Sequence, residues 1–354
     1  MNSNMGIRGA VGALAAVVGA LLTVALFLSW ERPPVVSVQH GFRGTGQILV
    51  FNPRTLASQA GLNALPDPIE PVEAAGTPSS SVYQNVQVLK TVDSSEFLRV
   101  MAAITAWVSP DQSCNYCHNP ENLAEDSVYT KVVARRMLQM VQYINSNWKN
   151  HVGATGVTCY TCHRGQPVPA QVWFTSPAPP HAGGVAESDT GKNVVSKAAG
   201  GTALPYDPFT PFLLNDVNIR VQSTTALPSG DDSSIKETDW TYALMINMSQ
   251  SLGVNCDYCH NTRAFSSWEQ SHPQRVTAWY GIRMVRALNN DYLVPLTKTF
   301  PAYRLGQLGD VAKVNCATCH QGAYKPLYGA SMVQSFPELM AATDGSVPPP
   351  AVPK

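Results

Sequence analysis

Val157-Thr158-Cys159-Tyr160-Thr161-Cys162-His163-Arg164-Gly165 carries the pattern that decides how this chain is built. The same Cys-x-x-Cys-His string recurs at Cys114/Cys117/His118, Cys256/Cys259/His260 and Cys316/Cys319/His320. Together the four strings use all eight cysteines and four of the eight histidines. Each reads as a c-type haem attachment site. Two thiols add to the porphyrin vinyl groups as thioethers, and two intervening residues let them reach neighbouring pyrrole rings. The residue that follows places its imidazole below the iron as proximal ligand. Four covalently bound haem c groups are therefore expected. A disulfide framework would not set a His after every second Cys. Paired zinc knuckles would leave the four identically placed histidines unexplained. A thioredoxin-like Cys-x-x-Cys normally occurs once, near a βαβ pattern that is not visible here.

Composition agrees with a folded, loop-rich protein. The 354 residues are 44% hydrophobic and 14% charged, with 24 basic side chains against 24 acidic ones. That balance excludes a disordered charged tail and carries no polybasic signature for nucleic acid. The 27 Pro and 25 Gly imply much irregular backbone without approaching a low-complexity composition.

Covalent attachment of this kind takes place outside the bacterial cytoplasm, so an export or anchor segment is required. Gly9 to Trp30 is free of charge, and as a helix spans about 33 Å, enough to cross a bilayer. A cleaved signal would have a shorter apolar region ending in a small-x-small site, for which Thr23-Val24-Ala25 is the only weak candidate. An uncleaved anchor over residues 1–30 is expected, with the body on the periplasmic side. No cysteine near this segment offers a lipid attachment point.

Residues 31–92 read as an extended lead segment, with Pro33-Pro34, Pro66, Pro68 and Ser79-Ser80-Ser81. The body then reads twice, as two-haem halves at 93–165 and 236–337. In the first half a helix begins at the cap-like Asp93-Ser94-Ser95-Glu96 and runs towards Pro110; a second covers roughly Ser127 to Trp148. In the second half, helices are expected from Asp239 to about Ser251 and from Pro273 to about Leu288. Local wording supports duplication. Sites one and three share C-x-Y-C-H-N, through Tyr116, Asn119, Tyr258 and Asn261. Sites two and four share V-x-C-x-T-C-H-x-G, through Val157, Thr161, Gly165, Val314, Thr318 and Gly322. Arg136-Met137 and Arg283-Met284 sit on the helices ahead of those two sites. Residues 166–235 form an irregular connection, with a short strand expected at Val217 to Val221. Residues 338–354 form a Pro-rich tail.

The sixth iron position decides between electron transfer and chemistry. Methionine raises the reduction potential, histidine lowers it, and an open position would admit a small molecule. Met101 lies 13 residues before Cys114, Met245 lies 11 before Cys256, and Met137 lies 22 before Cys159. Core filling is the competing role of each. Periodicity alone does not separate Met137 from Met140 or Met245 from Met248, and symmetry would assign Met284 to the fourth haem. His40, His151, His181 and His272 are competing bases; His181 and His272 read as solvated.

The motifs resemble the tetrahaem cytochrome subunit of purple-bacterial photosynthetic reaction centres. The similarity runs from about Gly41 to Pro337. It includes Gly41-Phe42-Arg43-Gly44, Ser81-Val82-Tyr83-Gln84-Asn85-Val86-Gln87-Val88-Leu89 and Ile104-Thr105-Ala106-Trp107-Val108-Ser109-Pro110. Val133-Ala134-Arg135-Arg136-Met137, the second haem string, Tyr206-Asp207-Pro208-Phe209-Thr210, Pro273-Gln274-Arg275 and Gly281-Ile282-Arg283-Met284-Val285-Arg286 extend it. The resemblance implies a mainly α multihaem cytochrome c with long irregular loops and, here, one N-terminal transmembrane helix. It implies Met101, Met137 and Met245 as distal ligands of the first three haems and His151 for the fourth. The third haem would lie nearest the bacteriochlorophyll pair, followed by the fourth, second and first. Arg275 is a candidate cation near the third haem, an ordinary surface or propionate-pairing arginine being its competing role. The implied role is re-reduction of the photo-oxidised pair by electrons from a soluble cytochrome c or high-potential iron–sulfur protein. No substrate bond changes in such a carrier, so no general acid, base or nucleophile is expected. A membrane-anchored quinol-oxidising tetrahaem cytochrome is the main rival, and it predicts mostly histidine ligation. A multihaem catalyst with an open iron is the other, and carbon monoxide binding would reveal it.

Overall fold

The uncharged N-terminal run forms the first helix, α1 (Ser3–Leu28). Gly9–Leu28 has a mean hydropathy of 2.6 and no part of it is buried by the rest of the chain. By length and composition it can cross a membrane. The computed structural model describes residues 3–30, 34–39, 48–177, 195–222 and 233–340. Gly41-Phe42-Arg43-Gly44, His40, His181 and the tail from Val347 to Lys354 lie outside them.

The lead segment is less extended than its prolines suggest. It contains an antiparallel pair, β1 (Val36–Gln39) and β2 (Ile48–Phe51), in register Val36 to Phe51. The short helix α2 (Pro53–Gln59) follows, because Asn52 caps it by accepting from the Arg54 amide at 2.9 Å and Pro53 fits the first turn. A single turn, α3 (Ser79–Val82), leads to the body.

The four helices expected in the body are present. In α4 (Ser94–Val108) the Asp93 carboxylate accepts from the Ser95 amide, as the cap-like wording predicts. Next come α5 (Tyr129–Asn147), the one-turn α6 (Lys149–Val152), and α7 (Cys159–His163), which is the second haem string itself. The helix α8 (Ile235–Leu252) starts four residues earlier than the expected Asp239. Ser234 and Glu237 form a reciprocal capping box there, and that fixes the start. The series closes with α9 (Gln274–Ala287) and α10 (Cys316–His320). Among the described residues β1 and β2 are the only paired strands, so the fold is mainly helical.

The strand expected at Val217 to Val221 is absent. Asn218 Oδ1 accepts from the Arg220 amide at 3.1 Å, and the Ile219 carbonyl accepts from the Thr241 hydroxyl at 3.0 Å. A side chain that bonds its own backbone two residues on competes with a ladder.

One hydrophobic core draws residues from Val88 through Leu339 and so spans both halves. Trp107, Trp148, Phe212, Leu213, Leu244 and Leu339 are among its fully buried members. Burying each such large apolar side chain contributes about 1.5–3 kcal/mol. The last described segment is held by Arg99, whose guanidinium stacks on Phe336 at 4.1 Å and donates to the Ser335 carbonyl.

Candidate haem-binding sites

The local backbone of the four strings falls into two matched pairs. Cys159 and Cys316 each begin a five-residue helix closed by a capping box, Thr158 with Thr161 and Asn315 with Thr318. Each helix ends in a left-handed residue, Arg164 or Gln321, followed by a glycine with φ of +79° or +84°. Those glycine amides donate 2.8 Å bonds to the Trp107 carbonyl on α4 and the Ser251 carbonyl on α8. The other two strings are 3-10 turns instead, at Ser113–Tyr116 and Cys256–Tyr258. Beside the latter, Asn255 clasps β2 through the Val50 amide and the Ile48 carbonyl.

Each string histidine is fixed in the same manner. Nδ1 of His118 bonds the Leu123 carbonyl at 2.9 Å, and Nδ1 of His260 bonds that of Phe265 at 3.0 Å. Nδ1 of His163 bonds the Gln166 carbonyl and Nδ1 of His320 that of Ala323, both at 2.9 Å. A carbonyl on Nδ1 sets the tautomer, leaving Nε2 with its lone pair outward, as a metal-bound histidine requires. Burial lowers the pKa of His163, His260 and His320; His320 reaches about 4, with the neighbouring His151 adding to the effect. Neutral imidazole is the ligating form.

His151 behaves as a fifth member of this set. Its Nδ1 bonds the Thr277 carbonyl of α9 at 2.9 Å, and burial lowers its pKa. Its ring centre lies 6.1 Å from that of His320. Two metal–imidazole bonds of about 2 Å, with roughly 1 Å from each nitrogen to its ring centre, span about 6 Å. His272, by contrast, is half-buried with its ring against Tyr258 at 6.1 Å, rather than solvated.

The methionines separate by burial. Met140 and Met284 are core residues at 9% and 7% exposure, whereas Met101, Met137, Met245 and Met248 pack at its margin, partly open. Matching glycine bonds set Met101 and Met245 in equivalent places. Met101 and Met245 each stand six residues before the carbonyl that receives one, while the place of Met248 is taken by Ile104 in the first half. Arg275 lies close to Cys259 and His260 electrostatically, stacked on Trp268 at 4.0 Å and donating to the Ser267 carbonyl at 2.7 Å.

Two residues escaped the sequence reading. Asn145 bonds both faces of the Val157 peptide, accepting from its amide at 2.7 Å and donating to its carbonyl at 2.9 Å. Asn289 does the same to Val314, at 2.9 and 3.0 Å. Val157 and Val314 each precede the first cysteine of their string by two residues, so the clamps set the entrance to α7 and α10. Their separations from the clamped valines are 12 and 25 residues, which hides the match in a sequence alignment.

Cys162 and Cys319 stand with their sulfurs in contact and Cα atoms 4.5 Å apart, across 157 residues. A sulfur bonded to its neighbour cannot carry a thioether, so pairing and haem attachment are alternatives at these two positions. Pairing leaves the other six cysteines as separate free thiols and gives the anchored histidines no task. Haem attachment employs all of them. Among the described residues no three His, Cys, Asp or Glu side chains converge as a metal site, which a zinc ribbon would need. A porphyrin supplies four ligands itself and asks only one or two of the protein. The residues present fit that requirement.

Residues 31–340 match the family model described as photosynthetic reaction centre cytochrome c subunit. The chain belongs to that family. A reaction centre cytochrome c subunit of Rubrivivax gelatinosus is 55% identical over 325 residues, covering 91% of this chain and 88% of the relative. Its counterpart in Thermochromatium tepidum is 48% identical over 322 residues, covering 90% and 79%, and that of Roseobacter denitrificans is 38% identical over 344. The family makes covalent haem c the cofactor, and electron transfer in the photosynthetic reaction centre the role. By family the chain is a carrier rather than an enzyme.

Proposed function

We propose that the chain holds four haem c groups in two pseudo-symmetric pairs, 93–165 and 236–337, and re-reduces the photo-oxidised bacteriochlorophyll pair. The observation that carries this reading is the set of four Nδ1-anchored histidines, each directly after a cysteine pair. Cys114 and Cys117, Cys159 and Cys162, Cys256 and Cys259, and Cys316 and Cys319 hold the porphyrins. His118, His163, His260 and His320 are proximal ligands, with Met101, Met137, Met245 and His151 opposite them. A haem so held supplies a one-electron iron couple; the protein's part is to fix its ligands and tune its potential.

The paired hydrogen bonds of α4 with site two and α8 with site four support the pseudo-symmetry. The closeness of Cys162 to Cys319 supports a central placement of sites two and four, as in the order third, fourth, second, first. The chain associates with the reaction-centre membrane subunits. The apolar α1 anchors it, with its body at the periplasmic face of the photosynthetic membrane. A soluble cytochrome c or high-potential iron–sulfur protein supplies electrons one at a time.

Haem-resolved potentiometry with flash-induced oxidation in membranes tests the role. Four one-electron steps and haem oxidation after a flash are expected; no flash oxidation of any haem would overturn it. Intact mass tests the cofactor count, expected as four haems on one chain with no reducible Cys162–Cys319 bond.

A further inference from the structure

We propose that Gly281 is the positioning residue that gives the fourth haem a histidine instead of a methionine; this rests on the reading above that His151 and His320 share that haem. The two asparagine clamps put α5 in a common register with α9 and the π-helical segment Leu288–Leu293 that continues it. Counting back from Asn145 and Asn289, Leu138 matches Ile282, Met140 matches Met284, Val141 matches Val285 and Ile144 matches Leu288, and every one of these is buried. Eight residues before the clamp stands Met137 in α5 and Gly281 in α9. The shared wording Arg136-Met137 and Arg283-Met284 is thus one helical turn out of structural register. Met284 is the counterpart of core-filling Met140.

Gly281 has no side chain because an imidazole takes its room. A Cβ placed on it would meet Cε1 of His151 at 2.5 Å, Nδ1 at 2.8 Å and Nε2 at 3.2 Å. The carbonyl that anchors that imidazole, Thr277, lies one turn earlier on the same helix face. Gly281 lies within regular helix and has no positive φ, so backbone freedom is not its purpose. Glycine inside a helix costs stability, and the cleared space is what offsets that cost. In the first half the helix supplies its own ligand; in the second it steps back and α6 delivers His151 across the same position. One missing side chain thereby lowers one station of the wire, since histidine ligation gives a lower potential than methionine.

The test uses the full membrane-bound chain carrying its haems, with haem content read by mass. Electron paramagnetic resonance of the wild type should show one bis-histidine haem among four. Gly281→Ala should remove that signal and shift the lowest potential step, with haem content unchanged. Gly281→Met combined with His151→Ala should instead yield a fourth methionine-to-iron charge-transfer band and move that step upward. The double variant decides if Gly281→Ala fails to assemble, because it lacks the imidazole that a Cβ would strike. An unchanged bis-histidine signal in Gly281→Ala would overturn the role of Gly281 while leaving the ligand assignment intact. A wild type with no bis-histidine haem would overturn the ligand assignment and this inference with it. Absence of the new band, or failure of both variants to assemble, would overturn the inference alone.

Discussion

Asn289 is fully buried, and both ends of its amide are engaged: Nδ2 donates to the Leu213 and Val314 carbonyls at 3.0 Å each, and Oδ1 accepts from the Val314 amide. Asn289→Ala strips the Val314 amide and the Leu213 carbonyl of a partner inside the core. A buried polar group left unpaired costs roughly 1–3 kcal/mol, so the expected loss is about 2–4 kcal/mol, read as a lowered thermal midpoint. The neighbouring Asn290, whose amide reaches the Leu214 carbonyl at an exposed position, is the control and should change little when made alanine. Arg275 supports a second expectation. A cation beside the third haem disfavours the ferric state, so Arg275→Gln should lower that haem's potential. Its partial exposure screens the charge, leaving an effect on the order of 1 kcal/mol, about 40 mV for one electron. Only the potential assigned to the third haem should move in a resolved titration. At this scale the Cys-x-x-Cys-His strings stand out in the sequence because covalent haem attachment asks for residue type and spacing together. Asn145 and Asn289 do not, because a clamp across unequal loops leaves no periodic trace.

Elements with an apolar stripe and a cap announced themselves: α4 through Asp93, α5 through its stripe and α9 through Pro273. The five-residue helices α7 and α10 did not, being too short for a period; their capping boxes and the left-handed turn after each His shape them. Loops that hold the histidines are elements of equal importance. The loop after site one is gripped by the buried Lys131, whose ammonium donates to the Leu123, Ala124 and Glu125 carbonyls at 2.7–2.8 Å. Leu123 is the residue whose carbonyl orients His118. Asp126 closes the grip, bonded to Arg135 at 2.7 Å and to Lys131 at 3.2 Å. The Arg135 guanidinium is the main cause that brings the Asp126 carboxyl down to about 2 from its ordinary 3.8. A depressed carboxylate contributes stability above its unfolded pKa and loses it as pH falls through the folded value. Asp126→Asn should therefore melt below wild type at neutral pH, the gap narrowing under pH 4 and closing near pH 2. Thermal melts across that range, followed at the first haem, check it; a gap independent of pH would show that charge is not the cause.

The whole molecule couples one continuous core to a single uncovered helix. Val88 through Leu339 contribute to one buried cluster, so the two halves, though locally alike, share their packing and are expected to unfold together. The sequence repeat suggests two units; the shared core is invisible to it because tryptophans and leucines from distant loops have no common spacing. Helix α1 stands outside this cooperation, with Gly9–Leu28 exposed along its whole length. Its apolar length satisfies a bilayer and adds nothing to the folding of the body. Replacing residues 1–30 with a cleavable export signal should therefore move the haem-loaded body from the membrane fraction to the soluble one. Its haem potentials should stay unchanged, because none of the carbonyls that anchor the histidines belongs to α1. Electron delivery should respond differently, since tethering raises the local concentration of carrier at the reaction centre by holding it on the surface. Re-reduction after a flash should become dependent on the concentration of the released body, where the anchored form gives a rate independent of dilution. A body that remained membrane-bound after the exchange would place its attachment in contacts with the reaction-centre subunits rather than in the helix.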